Sequence, residues 1–227
     1  MQWITTFSPT HRHLFDWFVA HLPIRPGDTL AVAQIPQLCE SGTYYEVGWK
    51  AQTTRKIDAL IGLASSMSRS GVVACLDVDV TVFRHFEDDV LEQMKATGTE
   101  YVFQDDGPGG LCSGLMLFAK PNIATEILRA IRSRLPEAEG DQKALNQIIE
   151  RSDAIVLPHH IAWTYGLNGL GEWKPGDIPR SPRGIAVHHA NWTRGVENKM
   201  MLLRAVVAEQ TNLPSATLGA PALPETR

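Results

Sequence analysis

Cysteine is scarce in this chain. The three among 227 residues, Cys39, Cys75 and Cys112, are widely spaced and odd in number. They form neither a zinc-ligand pattern nor a disulfide framework. A disulfide-stapled secreted domain is therefore not expected, and a reducing, cytoplasmic setting is the simplest home. No apolar run approaches the ~18 residues that a membrane span needs. Met1-Gln2-Trp3-Ile4-Thr5-Thr6 has no basic region followed by an apolar one, so the start does not read as a signal peptide. An excess of positive charge is missing too. Twenty-one Lys and Arg against 25 Asp and Glu leave a net charge of -4, which argues against nucleic acid as a partner. No internal repeat is present.

What is present is an ordinary globular composition, 44% hydrophobic and 20% charged, with ample material for a core. Strand-like and helix-like segments alternate. Strands are predicted at residues 3–7, 29–35, 72–76, 100–103, 115–118, 154–157 and 185–187. Helices are predicted after Ser8-Pro9, over 52–66, 87–95, 122–135 and 141–151, and from about 196 to 210. Ser8 and Asn122 read as N-caps, and Gly98 closes the third helix. This order implies an α/β protein, a three-layer α/β/α sandwich with a mostly parallel sheet. One domain is expected over residues 1–212. A disordered tail is expected over 213–227, where the composition falls to Pro, Ala, Thr and Gly.

The chemistry gathers at Ala74-Cys75-Leu76-Asp77-Val78-Asp79-Val80-Thr81. A short Val-rich run ends in two carboxylates one residue apart. In open α/β sheets, ligands bind at the carboxyl ends of the strands. Two acids at a buried strand end cost several kcal/mol unless something positive pairs with them. No Lys or Arg lies within four residues of the pair, so a divalent cation is the expected partner, and oxygen ligands suit Mg²⁺ or Mn²⁺.

Leu76-Asp77-Val78-Asp79-Val80 resembles the Asp-x-Asp motif of glycosyltransferases with the nucleotide-diphospho-sugar (GT-A) fold. Further segments resemble that family in its own order. Trp49 and Lys56 precede the acidic strand. Cys112-Ser113-Gly114-Leu115-Met116 resembles its Asn-Ser-Gly-apolar strand. Asp141-Gln142-Lys143-Ala144-Leu145-Asn146 resembles its Asp-Gln-x-x-x-Asn helix start. His189-Ala190-Asn191-Trp192, with Gly195 and Lys199 downstream, resembles its closing segment.

The resemblance implies a nucleotide-diphosphate sugar donor, a UDP-sugar above others, and an acceptor (glycan, lipid or protein) that stays open. It implies Mn²⁺ or Mg²⁺ held by Asp77, Asp79 and His189. His188 is adjacent, and on a strand the two rings point to opposite faces, so only one can face a metal. Lys56 and Lys199 are implied near the diphosphate, and Thr6 and Phe7 on the base and ribose. Ser113 and Gly114 are implied where the sugar approaches the backbone, and Asp141 and Gln142 on the donor sugar at the reacting face. Retention of anomeric configuration is implied as well. Cys112 departs from the family's Asn. No catalytic base stands out, and Asp105 and Asp106 in the glycine-rich segment 104–110 are candidates. Tyr44, Tyr45, Trp163 and Trp192 are candidates for stacking on the base or the acceptor.

Two other readings start from the same residues. Asp77-Val78-Asp79-Val80-Thr81 also resembles the Asp-x-Asp-x-Thr pattern of haloacid-dehalogenase-like phosphatases, with Asp77 as nucleophile toward phosphate and Mg²⁺ assisting. That motif normally lies on a first strand, and Gly140-Asp141 lacks the second acid such enzymes carry. The other reading is a sugar-nucleotide binding protein without turnover.

Overall fold

The computed structural model describes residues 1–40, 46–67, 70–107, 110–169 and 171–211. The expectations for Tyr44 and Tyr45 and for a disordered tail over 213–227 lie outside the described residues. In chain order the elements are β1 (Gln2–Phe7), α1 (Arg12–Ala20), β2 (Thr29–Gln34), α2 (Trp49–Ser66), β3 (Val73–Leu76), β4 (Val80–Val82), α3 (Glu87–Thr97), β5 (Tyr101–Asp105) and β6 (Leu111–Phe118). There follow α4 (Pro121–Arg134), α5 (Asp141–Ile148), β7 (Ile155–Leu157), β8 (Ala162–Thr164), β9 (Val187–His189) and α6 (Val196–Thr211).

The main sheet runs β2-β1-β3-β6-β5-β7. Only β6 opposes its neighbours, pairing antiparallel with β3 and β5, so the sheet is mostly parallel. Apolar residues occupy both sides of the central strands, as the unbroken run in β3 requires. Val73 and Cys75 join a core with Ile57 of α2, Leu128 of α4 and Leu145 of α5. Ala74 and Leu76 join the opposite core, with Leu14 and Phe18 of α1 and Val90 of α3. Helices therefore cover both faces, which is the expected sandwich.

The second face also carries something the pattern did not announce. A small sheet, β4-β9-β8, stands apart from the main one. Its strands have three residues each, too short for alternation to be visible in the sequence. The last strand lies two residues later than the pattern predicts, for the same reason. It covers Val187–His189, pairs Val80 with His189 and Thr81 with His188, and so ties the residues after the acid pair to the C-terminal segment.

Three local expectations are corrected. Ser8 precedes a 3-10 turn at Pro9–His11 and makes no cap bond to the backbone; its Oγ lies 3.0 Å from Nδ1 of His11. Asn122 is inside α4, which starts at Pro121 because proline tolerates the first helical position, where no N–H bond is needed. Segment 104–110 is not simply a loop: Gln104 and Asp105 belong to β5, and Asp106 is buried. Helix α3 does end at Gly98, whose φ of 73° suits glycine.

Leu128 is fully buried between α4 and the sheet. Leu128→Ala is expected to cost about 2–5 kcal/mol in urea unfolding with the m-value unchanged. Val47→Ser, at a site 92% exposed, should stay within about 0.5 kcal/mol.

Candidate active site

The C-terminal ends of β1 and β3 and the start of β6 meet in a cleft of about 720 Å³. Its lining contains Thr6, Phe7, Lys56, Asp77, Asp79, Ser113, Gly114, Asp141, Gln142, His189 and Lys199. The chain thus brings the residues implied for metal and donor to one place, whereas Asp105 and His188 lie outside the lining.

Asp77 leaves the main sheet directly after β3, and its backbone N–H donates to the Gly114 carbonyl at 2.9 Å. Asp79 precedes β4, and Ala190 N–H donates to the Asp79 carbonyl at 2.9 Å. His189 ends β9. One oxygen or ring nitrogen from each of Asp77, Asp79 and His189 lies within 4.8 Å of the others. Position 114 must be small for this: a Cβ there would stand 2.2 Å from His189 Cε1 and 2.8 Å from Asp77 Oδ2. A bulge places that residue. Between Phe103 and Gln104 of β5, the partner on β6 jumps from Met116 to Cys112, which leaves Ser113, Gly114 and Leu115 without partners on β5. Two carboxylates and one imidazole converging over a glycine suit a divalent cation.

His189 and His188 are now distinguished. His189 Nε2 is 3.3 Å from Asp79 Oδ1, and its Nδ1 is 3.0 Å from Gln104 Oε1. Burial works against a charge on His189, but the Asp79 carboxylate and Cys112 hold its pKa well above the usual value. His188 faces the other way, with Nδ1 3.2 Å from the Trp163 carbonyl. Burial pushes its pKa down to about 3, so the ring is neutral.

The acids also have protein cations, delivered from remote elements rather than from neighbours in sequence. Lys56 Nζ, from α2, is 2.6 Å from Asp77 Oδ1 and 2.8 Å from Asp141 Oδ2. Lys199 Nζ, from α6, is 2.6 Å from Asp79 Oδ2. Burial disfavours the Lys56 charge, yet Asp141 and Asp77 hold its pKa above the ordinary value. Burial likewise opposes the Asp79 charge, and Lys199 and His189 more than offset it, leaving the carboxyl far below its usual range.

Asp141 opens α5, where its Oδ1 also accepts the Gln142 backbone N–H at 3.1 Å. Gly140 is the N-cap and no side chain caps α5, so this first-turn bond and the Lys56 ion pair together hold the Asp141 carboxylate. Asp105 does not line the cleft; Arg151 and His159 engage it at 2.6 and 3.0 Å. Asp106 does line it, but accepts N–H bonds from Gln142 (2.8 Å), Asn191 (2.5 Å) and Trp192 (2.8 Å). It serves as an anchor that joins α5 to the segment after β9. Trp163 is core, 1% exposed. Trp192 lines the cleft and lies across Gly166, where a Cβ would come 2.2 Å from the indole.

Cys112, in place of Asn, is buried with Sγ 3.6 Å from His189 Nδ1, and burial raises its pKa. Gln104 and His11 were not foreseen, because nothing about a lone polar residue at a strand end or in a turn marks it in the sequence. His11 lines the cleft. Its pKa is lowered by burial and by the nearby Lys199 charge.

This architecture is that of GT-A-type glycosyltransferases. Among solved structures the chain is similar to the glycosyltransferase GlyE of Streptococcus pneumoniae, with TM-score 0.55 and 13% identity over 93% of this chain and 60% of GlyE. It is similar to the galactosyltransferase LgtC, solved with donor and acceptor sugar analogues, with TM-score 0.52 and 12% identity over 95% of this chain and 98% of LgtC. It is also similar to a glycosyltransferase involved in glycosylating the major capsid of PBCV-1, with TM-score 0.58 and 14% identity over 89% of this chain and 98% of that one. The chain thus spans less than two thirds of GlyE and nearly all of the other two. At these identities the likeness is one of fold. No protein-family model matches the chain, and no curated protein sequence does. Among the described residues, no helix is long and apolar enough to cross a membrane.

Gly114→Ala forces His189 and Asp77 apart. It is expected to cost about 1–3 kcal/mol in urea unfolding.

Proposed function

We propose that this chain is a metal-dependent glycosyltransferase that uses a nucleotide-diphosphate sugar, a UDP-sugar, as donor. The observation that carries the reading is the convergence of Asp77, Asp79 and His189 at the rim of a GT-A-type sheet. These three residues would hold Mn²⁺ or Mg²⁺. Such a cation would act as a Lewis acid on the phosphate oxygens and stabilise the departing nucleoside diphosphate.

The chain's own residues do the rest. Thr6 and Phe7, at the end of β1, form the wall for base and ribose, and Phe7 is backed by Phe15 in a stack of 4.3 Å. Lys56 and Lys199 supply positive charge for the diphosphate. Ser113 and Gly114 line the cleft where the sugar is placed, and the missing Gly114 side chain makes room for His189 and Asp77. Asp141, held by Lys56, accepts from sugar hydroxyls. Gln142, whose amide nitrogen is held by Asp106, borders the reacting face. We assign a retaining outcome from the resemblance of the site's motifs to the GT-A family, and a cytoplasmic home from three widely spaced cysteines that form no disulfide framework in the sequence. The phosphatase reading is weaker. The third group beside Asp77 and Asp79 is a histidine and not a further acid pair.

A thermal-shift panel of nucleotide sugars with and without Mn²⁺ should show a UDP-sugar stabilising the protein only with the metal. Slow Mn²⁺-dependent hydrolysis of that sugar nucleotide should accompany it, without hydrolysis of p-nitrophenyl phosphate in Mg²⁺. Asp79→Ala should lose both the stabilisation and the hydrolysis while keeping the far-UV CD spectrum. Wild-type UDP affinity in that variant would refute the metal role.

A further inference from the structure

The two lysines at the acid pair are not equivalent, and the difference has a thermodynamic consequence. Lys56 sits between two carboxylates, at 2.6 Å from Asp77 and 2.8 Å from Asp141. It can release one and keep the other. Among the described residues, Lys199 has one carboxylate within ion-pair distance, Asp79, at 2.6 Å. Asp79 in turn has both oxygens engaged, Oδ1 with His189 and Oδ2 with Lys199. A divalent cation that takes Asp79 therefore meets a charge already there, and repulsion between ammonium and metal favours Lys199 leaving. Lys199 lies in the first turn of α6, and its side chain is 21% exposed on a flexible four-carbon stem, so it can swing. It lines the same cleft in which the diphosphate is placed.

Resting on the reading of the cleft as a metal and diphosphate site, we propose that Lys199 is an exchangeable counter-ion. In the metal-free protein it neutralises Asp79; when cation and nucleoside diphosphate enter together, it passes to the phosphate oxygens. No bond is made or broken; one ion pair replaces another. The cation alone binds poorly, because it must evict Lys199 with no anion to receive it. The diphosphate supplies that anion, so cation and nucleotide each raise the other's affinity by the same factor.

The test is Lys199→Met, which keeps the stem and removes the charge, with Lys199→Arg as the charge-keeping control. Mn²⁺ alone and UDP in the presence of Mn²⁺ are titrated into metal-free protein by calorimetry. The two affinities should move in opposite directions. Mn²⁺ alone should bind about tenfold tighter to Lys199→Met, as expected if Asp79 is free of Lys199 about a tenth of the time. UDP with Mn²⁺ should bind about tenfold weaker, and the coupling between the two ligands should shrink. Lys199→Arg should keep the weak Mn²⁺ affinity. Thermal unfolding gives a second readout: metal-free Lys199→Met should melt below wild type, and Mn²⁺ should raise its melting temperature more than that of wild type. Unchanged or weaker Mn²⁺ binding to Lys199→Met, in a protein whose wild type binds UDP with Mn²⁺, overturns the exchange alone. Wild type that binds no UDP with Mn²⁺ overturns the parent reading.

Discussion

Negative charge at the rim of the main sheet is the constraint on which the rest of this molecule depends. Asp79 and Asp141 are both about 5% exposed, and Asp77 stands beside them. Buried acids without partners would cost several kcal/mol each. The chain meets that cost with Lys56 from the helix before the acidic strand, Lys199 from the final helix, and His189 from the small sheet. Each of those residues is carried by an element whose apolar face is buried elsewhere in the core. The packing of α2 against α4 and the pairing of β4 with β9 thus set the electrostatics of the cleft.

Much of the fold was legible because it is written locally. The unbroken apolar run of β3, the helical stripe of α1 and the glycine after α3 each speak for themselves over a few residues. The site's residue types were legible as well, since paired acids, Ser-Gly, Asp-Gln and His-x-Asn-Trp stand out as short motifs. Their partners were not. Lys199 is 120 residues from Asp79, and absence of a lysine near the acids in sequence says nothing about space. Asp106 looked like a loop acid, whereas three N–H donors from two distant segments make it a tether. The three-residue strands β4 and β8 were invisible for a different reason: alternation needs more length than they have.

The choice between His188 and His189 shows how topology resolves what composition leaves open. Adjacent residues on a strand face opposite ways. The antiparallel register with β4 decides which ring meets Asp79, and Gln104 receives the other nitrogen of that ring. Trp163 then closes over His188 on the far side, with ring centroids 5.0 Å apart.

The three converging groups do not belong to one layer. Asp77 hangs from the large sheet, while Asp79 and His189 border the small one. Their mutual spacing is therefore a measure of how two separate sheets slide over each other, and an ion seated among them would act as a rivet through both. Val78, which lines the cleft, and the fully buried Val80 and Ala190 are chain neighbours of these three groups without being ligands themselves. A methylene gained or lost there would retune preference between ions of different radius while every ligating residue stayed the same.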